Sequence, residues 1–349
     1  MADIFETKTL VAAVEQIPPA RTFLKDTFFP GEQTHDSRII EVDVVKGGRS
    51  TAPYVSPVRE GVVMKKDGAR VDTIKLPYIK AKYDISAAEA AKRQPGENPY
   101  NARTPAQRAQ EILGKRLAEG KKAIARTVEV QAALALTTGK VTLTGKDDSE
   151  VDWSAEVDFG RDAGLIITLG AGEYWSEVAI NPLDDLRDWA LMALKTGGYA
   201  PTEVVMGSDA LAVFLNNPNI QKMLDTRRMA VNDSISLSMA QYTGQGVTYV
   251  GTVGGFNIYH YVEWYENASG VLTEMVPAKG VIMGAKGTRN TVHYGAIVDL
   301  ETSSSAIERS VFPKSWTQQD PSVRWLMLQS SPLATLHEPD STVFATVLA

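Results

Sequence analysis

Residues 104–139 read TPAQRAQEILGKRLAEGKKAIARTVEVQAALALTTG, and this stretch decides the fold. Thr104 is a strong N-cap, Pro105 suits the first helical position, and Gln107 completes a Thr-x-x-Gln capping box. Ile112, Leu113, Leu117, Ile124, Val128 and Ala135 hold a helical stripe through Gly114 and Gly120, and Gly139 follows the last helical residue, Thr138. At about 1.5 Å per residue such a helix spans roughly 50 Å, far beyond the usual three turns. Its other face is basic, with Arg103, Arg108, Lys115, Arg116, Lys121, Lys122 and Arg126 against only Glu111 and Glu119. That face is either a solvated one or a surface turned toward a polyanion through salt-sensitive contacts.

The chain has 349 residues, which allows two domains or one large elaborated one. Apolar residues make up 44% and charged ones 22%, which excludes a mainly disordered or collagen-like polymer. A net charge of -6 argues against a surface that grips nucleic acid everywhere and leaves room for a local basic stripe. Without cysteine there are no disulfides, thiol nucleophiles, thiolate zinc sites or cysteine-held iron–sulfur clusters. Residues 1–7, MADIFET, show neither a basic n-region nor a long apolar h-region, and no run of about 18 apolar residues occurs anywhere. The expectation is a soluble intracellular product with no membrane span.

Toward the N-terminus, Leu10, Val11, Val14 and Ile17 fall at helical spacing until Pro18-Pro19 stops them. Phe23, Leu24, Phe28 and Phe29 then line one side of a short helix between Arg21 and Pro30. That segment is too small to bury its own rings. It packs either on its own body or, as an arm, on a neighbouring subunit.

From Ile39 to Ile85 the period changes to two. Ile40, Val42 and Val44 alternate with Glu41, Asp43 and Val45 up to Gly47-Gly48. Val62 and Met64 approach a polar tip, Lys65 to Arg70, in which Asp67-Gly68 is a hairpin-turn signal, and Val71, Thr73 and Lys75 return from it. An isolated ribbon is only marginally stable in water, so a covering surface is expected from the body or from another copy.

Beyond the long helix, Val141 to Phe159 reads as a hairpin around Lys146–Ser149. A helix from Pro182 to Lys195 is capped by Asn181 and ended by Gly197-Gly198. Thr202 to Met206 is a strand of the buried type, and Ser208 caps a helix through Leu215. Strands follow within Val247–Val262, Gly280–Ala285, Trp325–Gln329 and Thr342–Leu348. Elements from both ends of the chain therefore build one sheet around a mostly α+β insert.

Motifs that would carry chemistry do not emerge. His35, His260, His293 and His337 are dispersed without metal-ligand spacing, and His260 with Glu263 sits in a strand-like context. Gly284-Ala-Lys-Gly287 and Gly244-x-Gly246 lack the order of a phosphate loop, and Gly207-Ser-Asp209 is not a nucleophile elbow. Asp147-Asp148 and Asp184-Asp185 sit at a turn and a helix start, where acids are expected anyway. No catalytic residue, metal ligand or cofactor is expected, and the chain does not read as an enzyme.

Several short strings, taken in order, resemble the lambda-type phage major capsid proteins, the major capsid protein E family. They are Phe23-Leu-x-x-x-Phe28-Phe29, Ala52-Pro-Tyr-Val-Ser-Pro-Val58, Pro77-Tyr-Ile-Lys80, Arg93-Gln-Pro-Gly-Glu97 and Leu224-Asp-Thr-Arg-Arg228. Phe312-Pro-Lys-Ser-Trp316, Asp320-Pro321, Gln329-Ser-Ser-Pro-Leu333 and Pro339 complete the series. Each is weak alone, and their colinear order over nearly the whole chain is specific.

The resemblance implies the Hong Kong 97-type α+β capsid fold. Residues 1–38 would be an N-terminal arm, 39–85 an extended E-loop, and 86–181 a peripheral domain holding the spine helix 105–138. Residues 182–300 would be an axial domain, and 301–349 would return to the peripheral one. It implies a shell of hexamers and pentamers in a virion head, assembled in the bacterial host cytoplasm with a separate scaffold protein and a decoration protein. Packaged double-stranded DNA would be held without sequence reading.

Candidate subunit contacts are then Phe23, Leu24, Phe28, Phe29, Tyr54, Lys65, Lys66, Asp67, Arg70, Arg227 and Arg228. Candidate DNA-facing residues are Arg108, Lys115, Arg116, Lys121, Lys122 and Arg126. Gly47-Gly48, Gly61 and Gly197-Gly198 are candidate hinges. Crosslinking through Lys65 or Lys66 is disfavoured by so charged a tip. An encapsulin-like compartment shell and a soluble α+β enzyme remain as alternatives.

Overall fold

The computed structural model describes residues 6–46 without 19 and 21, then 51, 52, 54, 55, 57 and 60, then 68–93 without 87, 88 and 90. Beyond these it describes 103–146, 152–222, 241–242, 246–299 without 268, 306–320 and 323–349. Two short helices open the chain, α1 (Thr7–Gln16) and α2 (Phe23–Phe28). Strands β1 (Gly31–Thr34), β2 (Ile39–Lys46), β3 (Gly68–Lys75) and β4 (Ile79–Ser86) follow. The long helix α3 spans Pro105–Thr138, with the reciprocal Thr104–Gln107 capping box at its start. Gly139 ends it in the left-handed region at φ 72°, where a side chain would be strained.

Next come the hairpin β5 (Lys140–Lys146) and β6 (Asp152–Asp158), the short β7 (Ile166–Thr168), and α4 (Pro182–Thr196). Strand β8 (Glu203–Met206) leads into α5 (Ser208–Asn216), and β9 (Gln241–Tyr242), β10 (Val247–Val253) and β11 (Phe256–Tyr261) follow. Then come β12 (Trp264–Glu266), β13 (Leu272–Glu274), β14 (Gly280–Gly284) and β15 (Thr291–Tyr294). The chain closes with β16 (Phe312–Gln318), β17 (Val323–Ser330), β18 (Pro332–Thr335) and β19 (Thr342–Thr346).

A seven-stranded mixed sheet, ordered β7-β19-β14-β8-β11-β10-β9, divides two cores. Val204, Met206, Val281 and Met283 point from it into a core with Leu186, Trp189, Leu211 and Phe214 of α4 and α5. The intervening Val205 and Ile282 point the other way, into a core with Val128, Ala132 and Leu136 of α3. Strands buried on both faces carry continuous apolar runs, which is why β8 and β14 read as they do. The N-terminal half of α3 lies on a separate sheet, β16-β17-β4, where Ile112, Leu113, Leu117 and Ile124 meet Leu326, Leu328 and Ile85. Leu10 and Val14 of α1 complete that third core.

Four expectations are corrected. The rings of α2 are covered by the chain itself: Leu24, Phe28 and Phe29 are buried in the core they share with α3, so they are not waiting for a neighbour. The ribbon does not turn at Asp67-Gly68, because Gly68 already pairs with Lys46 and Ile39 with Lys75, which leaves residues 47–67 as the connection. Its root is buried through Ile40, Val42, Ile74 and Leu76. The final strand β19 does not return with β16 and β17; it lies between β14 and β7 in the seven-stranded sheet. Finally, Gly207 rather than Ser208 holds the N-cap position of α5.

Among the hinge candidates, Gly197 stands at a close backbone approach. A Cβ there would stand 2.5 Å from the Asp340 carbonyl oxygen. The hinge candidates Gly47-Gly48 and Gly61 lie outside the described residues.

The seat of α2 against the seven-stranded sheet is tightest at Gly284. A Cβ there would fall 2.3 Å from the Phe28 ring, which is itself fully enclosed. Gly284→Ala should lower stability by roughly 1–3 kcal/mol through overpacking. Chemical denaturation of the unassembled chain reads this, and an unchanged midpoint would mean that the ring can move aside.

Candidate functional site

The outer face of α3 is the first candidate surface. Arg108, Lys115, Lys122 and Arg126 fall in one row opposite the buried stripe, because spacings of seven, seven and four residues return to nearly the same side of a helix. Several of the expected cations are already engaged. Arg103 pairs with Glu111, and Lys115 reaches the same carboxylate at 3.7 Å. Arg116 contacts Glu119 at 3.1 Å and Glu89 at 3.6 Å, and Arg108 donates to the Ala91 carbonyl at 3.0 Å.

Lys121 faces inward. Its ammonium donates to the Val14 and Ile17 carbonyls at 2.9 and 2.6 Å and so caps the end of α1. Partial burial lowers its pKa. Lys121 is thus a structural tie, which corrects its placement among the DNA-facing residues. Lys122 and Arg126 are exposed and meet no carboxylate among the described residues.

The second candidate surface is what the ribbon leaves uncovered. Ile39 and Val71 lie on its outer face, 58% and 56% exposed, and Tyr54 stands fully in solvent. Arg70 is placed by register opposite Val44. Lys65, Lys66, Asp67, Arg227 and Arg228 lie outside the described residues. Leu191, Trp264 and Leu272 are further large apolar side chains left exposed.

Beneath these surfaces, two buried ionisable side chains hold α3. Arg161 donates to the Leu136 and Ala135 carbonyls, each at 2.8 Å, and to Thr342 Oγ1 at 2.7 Å. A cation on the last carbonyls interacts favourably with the negative end of the helix dipole, adding to the Gly139 N–H that Ala135 already accepts, and here it also ties the helix to β19. Burial lowers the Arg161 pKa to about 10, which leaves it charged at neutral pH. Glu129 is the second. It accepts the Leu24 and Lys25 backbone N–H groups at 2.7 and 3.0 Å, so it caps α2, whose own N-cap Thr22 makes no side-chain cap bond. It also meets the Tyr261 hydroxyl at 3.0 Å.

Neither group was singled out from the sequence. The available signal for Glu129 was its isolation, as the one charge between Thr127 and Thr138.

Three of the four dispersed histidines converge. His35 Nε2 and His293 Nδ1 are 2.8 Å apart, and His293 Nε2 and His337 Nε2 are 3.0 Å apart. Parallel pairing of β1 with β15, and antiparallel pairing of β15 with β18, brings them together from positions far apart in the chain. Among the described residues no group of three or more histidines and carboxylates is arranged to hold a metal ion. Nor is any described helix long and apolar enough to cross a membrane.

The family model for phage major capsid protein E matches residues 6–347. The major capsid protein of Enterobacteria phage P21 is 29% identical over 347 residues, covering 99% of each chain. That of Escherichia phage lambda is 29% identical over 342 residues, 97% of this chain and 98% of its own. In shape, the crystal structure assigned to a prophage capsid protein of Escherichia coli CFT073 aligns with a TM-score of 0.75 at 20% identity, over 98% of this chain and 99% of that one. The fold expected from the resemblance is therefore the one observed.

The histidine chain generates a pH prediction. Burial foremost, then the neighbouring His337 and His35, lowers His293 from its ordinary 6.5 to about 4. The unfolded chain takes up this proton first as pH falls, so the contribution is complete above 6.5 and is lost progressively toward pH 4. Its size is up to about 3 kcal/mol. Denaturation at stepped pH should show this slope in the wild type and a much flatter one in His293→Gln; equal slopes would refute the assignment.

Proposed function

Since the chain belongs to the phage major capsid protein E family, we propose that it builds the head of a tailed phage or prophage as its major capsid protein. It is a structural protein of the virion, not an enzyme, and it acts by association with copies of itself. The observation that carries this reading is the family match from residue 6 to residue 347, which leaves no room for a separate activity-bearing domain within that span.

The finer assembly reading goes further. Hexamers and pentamers close into an icosahedral procapsid, formed in the host cytoplasm around a separate scaffold protein, which later takes up double-stranded DNA and a decoration protein. The outer ribbon face, where exposed Ile39 and Val71 sit among Glu41, Thr73 and Lys75, is the favoured subunit contact together with exposed Tyr54, because it leaves large apolar side chains in solvent on a ribbon whose root is already fixed. The charged residues Lys65, Lys66, Asp67, Arg70, Arg227 and Arg228 are kept as contact candidates. Phe23 stays partly buried against Tyr259 and Tyr261 of the same chain, at ring distances of 5.1 and 5.6 Å, which disfavours a role between subunits.

For the DNA-facing surface, Lys122 and Arg126 are the favoured residues, with Arg108, Lys115 and Arg116 at partly neutralised positions beside them. Phosphates would displace counterions here without reading bases, and the overall charge of -6 limits premature binding.

Electron microscopy and light scattering of the chain co-expressed with the scaffold protein test the reading. Megadalton shells are expected, and a stable monomer or small oligomer under all conditions would refute it. Particles carrying protein cargo in place of nucleic acid would favour a compartment shell. In particles that do form, Lys122→Glu with Arg126→Glu should reduce salt-resistant DNA retention and leave shell yield nearly unchanged. Loss of shells instead would move these residues to a subunit contact.

A further inference from the structure

Three oxygens meet between α3 and the seven-stranded sheet with too few hydrogens among them. The Tyr261 hydroxyl lies 3.0 Å from Glu129 Oε1 and 2.9 Å from Glu263 Oε2. Its other neighbour, Met275 Sδ at 3.2 Å, brings no proton. A phenol has one hydrogen and fills one of these oxygen contacts. With both carboxylates ionised, the second contact would set two lone-pair-bearing oxygens against each other in a place largely closed to water.

We infer that Glu129 carries the missing proton: its carboxyl donates to Tyr261, Tyr261 donates to Glu263, and Glu263 holds the pair's single negative charge. Exposure fixes that direction. Glu129 is 2% exposed and Glu263 is only partly buried, so the charge costs less at Glu263. Burial also raises the Glu129 pKa and pushes the Tyr261 phenol far above its ordinary range, so the carboxyl titrates and the phenol does not. A protonated carboxyl keeps lone pairs for the Leu24 and Lys25 N–H groups.

Among the described residues no cation pairs with Glu129 or Glu263, and Arg126, three residues before Glu129 on α3, is exposed. The Lys25 ammonium is turned to Glu32 at 2.5 Å and Asp26 at 3.3 Å. From α3, no other charge lies between Thr127 and Thr138. From the sheet side, the groups facing Glu129 are Tyr261 and, through it, Glu263. Losing the proton as pH rises places a charge on either side of one phenol, and opening the Glu129–Tyr261 contact relieves it. That contact joins the sheet to α3 and, through the Glu129-capped α2, to the N-terminal segment. Proton uptake closes this seam and proton release loosens it. The inference concerns one protomer, so it does not depend on shell formation.

Infrared difference spectroscopy of the unassembled full-length chain across pH tests it. A protonated-carboxyl band should persist above the ordinary glutamate range and be missing from Glu129→Gln. In Glu263→Gln the amide N–H supplies the hydrogen Tyr261 lacks, Tyr261 turns its own proton to Glu129, and the band's midpoint should fall by about one pH unit, roughly tenfold in proton affinity. Hydrogen exchange at the Leu24 and Lys25 amides should quicken above the wild-type midpoint. Absence of the band in the wild type, its survival in Glu129→Gln, or an unmoved midpoint in Glu263→Gln would each overturn the inference. Glu263 is partly exposed, so Glu263→Gln decides the matter even if Glu129→Gln fails to fold.

Discussion

A helix of 34 residues cannot be buried by one layer, and the rest of the chain is arranged around that constraint. Its N-terminal half is covered by α1 and by a sheet joining β4 to β16 and β17. Its C-terminal half is covered by α2, by the root of the ribbon and by one face of the seven-stranded sheet. Segments more than 200 residues apart must come together along it, as Gln131 shows by donating to the Pro332 carbonyl and accepting the Ala334 N–H. Arg161 at the helix end and Glu129 within it are buried polar side chains whose hydrogen bonds must all form together, so they favour this arrangement of the surrounding segments over near alternatives.

This changes the balance between folding and association. The aromatic front end is satisfied within the protomer, where Leu24, Phe28 and Phe29 close a core between α3 and the sheet. Folding therefore does not wait for neighbours at that point. Among the described residues, what remains outside is smaller: Ile39 and Val71 on the outer ribbon face, Tyr54, and scattered side chains such as Leu191, Trp264 and Leu272. Of the two packings open to the N-terminal segment, on its own body or on a neighbouring subunit, the protomer's own core takes Leu24, Phe28 and Phe29. The capsid assignment rests instead on the family match along the chain.

Burial also explains where polar groups gather. His35, His293 and His337 follow from strand pairing between β1, β15 and β18, and the Glu129–Tyr261–Glu263 group from the packing of α3 on β11. Both lie at seams between parts of the molecule that are distant in sequence. A titratable group at such a seam couples the state of its proton to the closeness of the two parts.

The sequence by itself determined the local elements whose signals act within a few residues. Thr104, Pro105 and Gln107 set the start of α3 and Gly139 its end, while Asn181 and Pro182 began α4. Alternation marked β2, and doubly buried strands showed as the apolar runs of β8 and β14. The family's short strings were legible for the same reason, being contiguous. Only the tertiary structure decided the ribbon's register, the placement of β19 beside β14, the inward turn of Lys121 and the covering of the α2 rings. Each of these depends on which distant surface arrives to exclude water, and neither period nor spacing along one stretch of chain encodes that arrival.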